Sequence, residues 1–273
     1  MRIGFVMPAF NEEELLGETL EGCVDLVERL VIVNDGSTDA TGRIADEWAR
    51  AQPDKIEVIH QANTGIGGAV IAGMRRLLAH GDLDALGIIA SDNQCDPALI
   101  PRFRQVLETR PELDVAKGSR FLHTETLHAM PRFRYWGNRG VSMVMQLVLG
   151  YRGMSDVLHG YLLGRVGVFR AMDFSRIAAG YDLENTMMAE FRRLRCRFGI
   201  LPSPSRYGRE CSKIVYRTQI PKTLRKMADV LRVRLGSGPL RERLAPLLLV
   251  SGNLPAAYLA LVLTSPRVER IDP

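Results

Sequence analysis

The first half of the chain alternates short, mainly apolar runs with longer segments in which apolar residues recur every three or four positions. Buried strands are predicted at residues 2–7, 29–33, 56–59 and 85–90, because each run has the length of a strand and is followed by turn residues. The intervening segments have helical periodicity, as over residues 40–51. Strands that alternate with helices in this way predict a mostly parallel, doubly wound α/β sheet.

Polar residues that suit ligand binding follow three of these strands. The loop Pro8–Glu13 follows the first, Asp35 follows the second, and Asp92 and Gln94 follow the fourth. Open α/β sheets bind ligands at the carboxyl ends of their strands, and carboxylate and amide oxygens suit Mg²⁺ or Mn²⁺ held against a diphosphate. An ordinary polar turn is the alternative for Asp92 and Gln94, and Asp96–Pro97 has the form of a helix start.

Local signals predict how the helices begin. Asn11 is placed to cap the helix after the first strand, and Asp39 to cap the helix over residues 40–51. The run Gly65–Gly68 opens the third helix, where glycines permit close approach of a ligand and the helix N-terminus presents N–H groups to an anion. No GxGxxG sequence follows the first strand, which argues against NAD binding.

Composition narrows the class of protein. The 273 residues, 46% of them hydrophobic, fit one α/β domain with an appendage. The net charge of +5 arises from basic residues that gather after Gln94, so we predict no nucleic-acid partner. Four cysteines without metal-ligand or paired spacing predict free, mostly buried thiols in a reducing cytosol. The start of the chain reads as a strand rather than a secretory signal, which predicts a cytoplasmic protein.

The end of the chain has a different character. Residues 221–235 predict a basic amphipathic helix, and residues 244–266 contain no charged side chain. Proline and glycine interrupt the apolar stretch, so we predict two short apolar helices rather than a membrane span. This pattern fits either peripheral contact with the inner face of the cytoplasmic membrane or a homo-oligomer interface. We therefore divide the chain into a domain over residues 1–215 and a helical tail over residues 216–273.

The motifs PAFNEE, VIVNDGSTDAT, NTGIGGAVIAG, SDNQCDP and KGSRF, taken in this order, resemble those of family 2 nucleotide-diphospho-sugar glycosyltransferases with the GT-A fold. Within that family the chain is most similar to the polyprenyl-phosphate branch. The resemblance covers residues 1–215. It implies an inverting glycosyltransferase that moves a sugar from a UDP- or GDP-sugar to a polyprenyl phosphate or a related lipid.

The resemblance also implies roles for individual residues on the donor side. The nucleotide and its diphosphate would contact Pro8, Phe10, Glu12, Asp35, Gly65, Asp92, Arg209 and Lys213. Asp92 and Gln94 would hold Mg²⁺ or Mn²⁺. Two departures bear on this site, because Ala90 stands where the family has the first acid of its metal motif and Ile66 stands where a lysine is common. The metal motif is therefore weakened.

On the acceptor side the resemblance assigns Arg120, Arg134, Asn138 and His159, and the catalytic set is Asp92, Arg120, Asp182 and Glu184. A phosphate acceptor is already ionised and needs no base, whereas a hydroxyl acceptor would need Asp182 or Glu184 as general base. A surface salt bridge is the alternative for Arg120, and a structural role is the alternative for His159. A non-catalytic protein that binds nucleotide sugars is the third hypothesis, because of the two departures.

Overall fold

The computed structural model describes residues 1–124, 130, 132–204, 252, 256, 260 and 268–271. Its strands are β1 (Ile3–Ala9), β2 (Arg29–Asp35), β3 (Ile56–Gln61), β4 (Ala85–Ile88), β5 (Val115–Ser119), β6 (Leu162–Arg165), β7 (Phe198–Pro202) and β8 (Glu269–Arg270). Its helices are α1 (Leu16–Cys23), α2 (Thr41–Ala51), α3 (Ile66–His80), α4 (Ile100–Thr109), α5 (Arg132–Leu149), α6 (Val166–Ala171) and α7 (Leu183–Arg193).

The described strands form one sheet in the order β3-β2-β1-β4-β6-β5-β7-β8. All neighbours pair in parallel except β6, which runs antiparallel to both β4 and β5. The carboxyl ends of β1, β2, β4 and β5 therefore lie at the same edge as the start of β6. This edge brings together the loops at residues 9–15, 35–41, 89–96 and 155–161.

Both faces of the sheet are buried, as the apolar runs predict. Along β2, Val31 and Val33 pack into the core on one face, and Leu30 and Ile32 pack into the core on the other. Side chains alternate along a strand, so a run that is apolar at every position needs cover on both sides. The mostly parallel α/β sheet is confirmed.

The predicted helix starts have mixed outcomes. Asp96 occupies the N-cap position and accepts the N–H of Ala98 at 3.1 Å, so this cap is confirmed. Asp39 accepts the N–H of Thr41 at 3.0 Å, but it lies one residue before the N-cap position of α2, which is Ala40. The predicted cap by Asn11 is wrong. Helix α1 begins only at Leu16, and Asn11 has a left-handed backbone with φ of 52°.

Residues 268–271 lie at the edge of the sheet. β8 pairs in parallel with β7, Val268 donates its N–H to the carbonyl of Arg152 at 2.8 Å, and Glu269 pairs with Arg110 at 2.6 Å. Most of the predicted tail over residues 216–273 lies outside the described residues, so the domain boundary stays a prediction. Among the helices that are described, none has the length and hydropathy of a membrane span. Three cysteines are free and buried, and Cys211 lies outside the described residues.

Candidate active site

The loop after β1 carries the residues predicted to contact the nucleoside. Phe10 has 36% of its surface exposed, and Glu12 is half-buried. The carbonyl of Pro8 accepts a hydrogen bond from the Ser91 hydroxyl at 2.8 Å, which joins this loop to the segment that carries Asp92. The predicted nucleoside and metal residues are therefore adjacent at one edge of the sheet.

Asp35 ends β2 and is buried. Its carboxylate accepts hydrogen bonds from the Gln61 amide at 2.7 Å and from the N–H groups of Thr64 and Gly65, both at 2.9 Å. A buried carboxylate needs such donors to compensate for lost hydration. Asp35 thus fixes the turn before α3, while its direct contact with a nucleoside stays a prediction.

The glycine run at the start of α3 contacts the protein itself. Gly68 donates its N–H to the carbonyl of Ala179 at 3.0 Å, and the N–H of Gly65 is taken by the carboxylate just described. A Cβ on Gly67 would lie 1.9 Å from the carbonyl oxygen of Ala178. Gly65 and Gly68 therefore donate their N–H groups within the protein, while contact of Gly65 with the nucleotide stays a prediction. Because glycine has no side chain, the start of α3 can pack closely against Ala178 and Ala179, in the segment that leads into α7.

Arg120 and Asp156 form a buried ion pair at the end of β5. The Asp156 carboxylate accepts from Nε of Arg120 at 2.8 Å, from Nη2 at 2.9 Å and from the Arg120 backbone N–H at 3.1 Å. Burial alone would raise the pKa of Asp156, but the guanidinium holds that pKa well below its usual range. The pair is buried, so the alternative of a surface salt bridge is wrong. Contact of Arg120 with an acceptor phosphate stays a prediction.

Lys117 was missed by the sequence analysis. It lies in β5 with 1% exposure, and its ammonium donates to the backbone carbonyls of Asp156, at 2.8 Å, and His159. Burial lowers the pKa of Lys117 to about 8. The available signal was its place in the KGSRF motif, directly after the apolar residues Val115 and Ala116, because a lysine that is buried requires a polar partner. Lys117 and Arg120 together hold the turn over residues 156–159.

His159 is also part of this buried network. It has 6% exposure, and its Nε2 lies 3.0 Å from the Ser203 hydroxyl. Burial, aided by the nearby Arg120 guanidinium, lowers the pKa of His159 well below its ordinary value, so the ring is neutral. The geometry supports the structural alternative for His159 rather than acceptor binding.

Asp182 and Glu184 lie at the start of α7. Asp182 is buried, and the Glu184 carboxyl lies against the turn at Gly160, where an added Cβ would be 3.4 Å from its Oε1. Burial raises the pKa of Glu184 to about 7. A carboxyl group with that pKa exchanges its proton at neutral pH, which is what a general acid or base requires.

Helix α5 presents apolar side chains to the solvent. Phe133 has 81% of its surface exposed, Trp136 has 69% and Met143 has 62%, and their spacing places them on one helical face. An adjoining side of the helix contacts Phe121, the neighbour of Arg120. Tyr135 packs edge-on against that ring at 5.6 Å, and the Arg139 guanidinium lies 5.5 Å from its centroid.

The remaining predicted residues are only partly described. Asn138 lies on α5 and is half-buried. The side chain of Arg134, and the whole of Arg209 and Lys213, lie outside the described residues, so their roles stay predictions.

A family model, glycosyl transferase family 2, matches residues 5–175 of the chain. The chain belongs to this family. It is 31% identical over 206 residues to an undecaprenyl-phosphate mannosyltransferase of Micrococcus luteus, and the aligned region covers 74% of this chain and 82% of that protein. It is 29% identical over 182 residues to a polyprenol monophosphomannose synthase of Mycolicibacterium smegmatis, and the aligned region covers 64% of this chain and 66% of that protein. The family resemblance is confirmed, and the chain is a glycosyltransferase.

Solved structures of another glycosyltransferase show the same architecture. Glucosyl-3-phosphoglycerate synthase of Mycobacterium tuberculosis in complex with UDP superposes with a TM-score of 0.60 at 20% identity, covering 88% of this chain and 82% of that one. The same enzyme with Mn²⁺, UDP-glucose and phosphoglyceric acid gives a TM-score of 0.59 at 19% identity, covering 88% and 81%. At these identities the likeness shows the fold, and the predicted GT-A fold is confirmed.

The candidate metal site has one carboxylate. Asp92 is half-buried and its Oδ1 accepts the backbone N–H of Gln94 at 3.1 Å. Within the described part of the chain, no three His, Cys, Asp or Glu side chains are grouped closely enough to hold a metal by themselves. Mg²⁺ is commonly bound by one or two carboxylates plus substrate phosphates. Asp92 and Gln94 therefore fit an ion that is also bound by a diphosphate. The second carboxylate of the family motif is missing here, because residue 90 is alanine.

Proposed function

We propose that this enzyme transfers a sugar from a UDP- or GDP-sugar to a polyprenyl phosphate, with inversion at the anomeric carbon. The names of the relatives support a lipid-phosphate acceptor, and the complexes of the structural neighbours support a nucleoside-diphosphate donor. The proposal goes further than either, because it assigns both substrates to the loops at one edge of this sheet.

The observation that carries the proposal is the exposed face of α5. Phe133, Trp136 and Met143 lie on one side of the helix, and Arg132 and Arg139 are exposed beside them. Aromatic and apolar side chains flanked by arginines are typical of a helix that lies in the surface of an anionic membrane. The same helix packs on Phe121, next to Arg120. A lipid phosphate drawn from the membrane would therefore reach the protein beside the candidate acceptor residues.

The reaction follows from the charges of the substrates. An oxygen of the acceptor phosphate forms a bond to the anomeric carbon while the bond from that carbon to the nucleoside diphosphate breaks. The bonding electrons leave with the diphosphate, and a single displacement inverts the configuration. The acceptor oxygen is already ionised, so the protein has to position the substrates and balance the charge of the leaving group rather than remove a proton.

Each part of the site has a defined task in this reaction. Phe10 and Glu12 would contact the nucleoside, and Asp35 would fix the turn beside it. Asp92 and Gln94 would hold Mg²⁺ or Mn²⁺, which would neutralise the diphosphate when bound. Arg120 would face the acceptor phosphate in the orientation that Asp156 imposes. Arg209 and Lys213 remain the predicted cations that complete the charge balance.

A second candidate has the same donor but a hydroxyl acceptor. The carboxyl of Glu184 supports it, because a pKa of about 7 suits a general base at neutral pH. In that case Glu184 would remove the hydroxyl proton as the oxygen attacks. Asp182 is the other predicted base, but it is buried at the helix start.

Transfer of radiolabelled sugar tests the proposal. The purified enzyme is incubated with a nucleotide sugar and Mn²⁺, and with vesicles that contain polyprenyl phosphate, the matching polyprenol, or neither. We expect product only with the phosphate. Equal product with polyprenol would overturn the assignment of a phosphate acceptor and favour the hydroxyl candidate.

The membrane contact has its own test. We expect the enzyme to sediment with anionic vesicles and the variant Trp136→Ser to remain in the supernatant. If instead α5 covers a second copy of the chain, Trp136→Ser would change the oligomeric state and leave vesicle binding unaffected. The cytoplasmic location and the homo-oligomer stay predictions.

A further inference from the structure

The loop after β1 and the loop after β2 hold each other through reciprocal hydrogen bonds. Asn11 donates its N–H to the Ser37 hydroxyl at 3.0 Å, and the Asn11 side-chain oxygen accepts the N–H of Thr38 at 2.8 Å. One residue further on, Glu12 donates its N–H to the Thr41 hydroxyl at 2.8 Å. We call this set of contacts the loop clasp.

Glu13 extends the loop clasp. Its side-chain Oε2 accepts the N–H of Ala40 at 2.8 Å, and its own N–H donates to the carboxylate of Asp39 at 3.3 Å. The two loops therefore exchange donors and acceptors in both directions over residues 11–13 and 37–41. Phe10 and Glu12, the predicted nucleoside contacts, lie within or beside this bonded stretch.

Asn11 has the central position in the loop clasp for two reasons. Its φ of 52° lies in the left-handed region, where asparagine is tolerated better than most residues. That backbone turn directs its N–H toward one loop hydroxyl while its carboxamide oxygen accepts a backbone donor from the same loop. Glycine could adopt the backbone conformation without the carboxamide, and alanine would lose both features.

The partner loop is itself fixed from the opposite side. The Asn34 side-chain oxygen accepts the N–H of Ser37 at 3.1 Å, so the Asn34 amide nitrogen must point toward His60, whose Nδ1 lies 3.0 Å away. Because an amide nitrogen only donates, His60 Nδ1 accepts. The His60 proton is then on Nε2, which lies 3.0 Å from the carboxylate of Asp46. This chain of hydrogen bonds ties the partner loop to the rigid elements β3 and α2.

We infer that Asn11 is a positioning residue for donor binding: it fixes the loop of Phe10 and Glu12 against the partner loop so that the nucleoside meets a preformed surface. The inference rests on the proposed nucleotide-sugar donor. A preformed loop does not have to be ordered by the ligand, so the loss of the loop clasp weakens binding rather than the chemical step. Asn11 itself contacts no reacting atom in this scheme.

Three substitutions at this position separate backbone from side chain. Asn11→Gly keeps the left-handed backbone and removes the acceptor, and we expect the Kd for the nucleotide sugar, measured by calorimetry with Mn²⁺, to rise about fivefold, the equivalent of one hydrogen bond. Asn11→Ala also removes the acceptor and in addition places an alanine in the left-handed region, so we expect its Kd to rise about 30-fold in total. Asn11→Asp retains both the acceptor and the tolerance of φ, and its Kd should lie within about twofold of the wild-type value.

The controls separate positioning from a general loss of stability. Asp173→Ala removes a side chain that accepts from the N–H of Ser175, on a turn outside both loops, and it should leave the Kd unchanged. The rate at saturating donor should stay within about twofold for Asn11→Gly, since binding energy and not chemistry is removed. Amide exchange at Thr38 should accelerate in Asn11→Gly and return to the wild-type rate in Asn11→Asp.

The outcomes are distinct. If the wild-type enzyme binds no nucleotide sugar, the proposed function fails and this inference fails with it. If the wild-type enzyme binds and Asn11→Gly binds equally well, the proposed function stands and the inference is wrong. A fall in the saturated rate with an unchanged Kd, or a failure of Asn11→Asp to restore binding, would also overturn it.

Discussion

The guanidinium of Arg120 donates from Nε and Nη2 to the two carboxylate oxygens of Asp156, at 2.8 and 2.9 Å, and the side chains are 8% and 0% exposed. Removing one partner leaves a buried charge without compensation, which typically costs about 3–5 kcal/mol. We therefore expect Asp156→Ala to lower the free energy of unfolding at pH 7 by about that amount in urea titration. The exposed pair between Asp173 and Arg176 is the control, and Asp173→Ala should lower the free energy of unfolding far less, because water solvates both charges. Equal losses would show that Asp156 is not in a buried pair.

The same pair predicts how stability responds to acid. The pKa of Asp156 in the folded protein lies below its ordinary value of 3.8. Its ionised form therefore contributes stability above pH 3.8, and this contribution is lost as the pH falls through the lower, folded pKa. The difference in unfolding free energy between wild type and Asp156→Asn should be constant from neutral pH down to about pH 5 and narrow below about pH 4. A difference that changes between pH 7 and 5 would contradict this.

Glu184 predicts the opposite trend. Its pKa is raised from 4.5 to about 7, so the stabilising, protonated form is fully present below 4.5 and lost as the pH rises through 7. Glu184→Gln, which stays neutral, should match wild type near pH 4 and exceed it above pH 7 by up to about 3 kcal/mol in urea unfolding. With a polyprenyl phosphate acceptor the variant should also retain most of its transfer activity. Loss of that activity would contradict a displacement that needs no general base.

The contact between the start of α3 and the segment before α7 predicts a steric effect. Gly67→Ala would place a Cβ 1.9 Å from the carbonyl oxygen of Ala178, and overpacking of this kind costs about 1–3 kcal/mol or more. Gly17→Ala is the matched control, because it also lies in a first helical turn and an added Cβ meets nothing within 4 Å. Thermal unfolding should show a lower Tm for Gly67→Ala and an unchanged or higher Tm for Gly17→Ala. Two equal shifts would contradict the contact.

Restoring the missing acid at position 90 should strengthen metal binding. Ala90→Asp would supply a second carboxylate next to the candidate metal site, so we expect Mn²⁺ to bind several-fold more tightly in the presence of a nucleoside diphosphate. Ala90→Asn, of equal size and without charge, should give a smaller effect. Calorimetric titration of Mn²⁺ measures both. No change in Ala90→Asp would show that the ion does not bind at the end of β4.

Local patterns determined which parts of the fold could be predicted. β1 to β4 were found because each is an apolar run between turn residues, and the cap at Asp96 was found because its hydrogen bond reaches only two residues along the chain. β6 was not predicted, because its insertion between β4 and β5 is a long-range pairing of a four-residue strand.

The same limit applies to the candidate site. Motifs located most of its residues, but they did not show which residues would form hydrogen bonds or ion pairs with one another. Arg120 and Asp156 are 36 positions apart, and Lys117 and His159 are 42 positions apart. Asn11 shows the difficulty most clearly. As a helix cap or as a contact between loops, its side chain would accept a backbone N–H. Only the tertiary fold decides that the donor is Thr38 in the neighbouring loop rather than a residue of the helix that follows.

Calorimetric titration with UDP- and GDP-sugars, each with Mn²⁺ and with EDTA, tests the central claim that this edge of the sheet holds a nucleotide-sugar donor. We predict that one of the two nucleotides binds tightly with Mn²⁺, that binding weakens strongly in EDTA, and that Asp92→Asn reduces the effect of the metal. Absence of binding by either nucleotide sugar in the presence of Mn²⁺ would contradict the account.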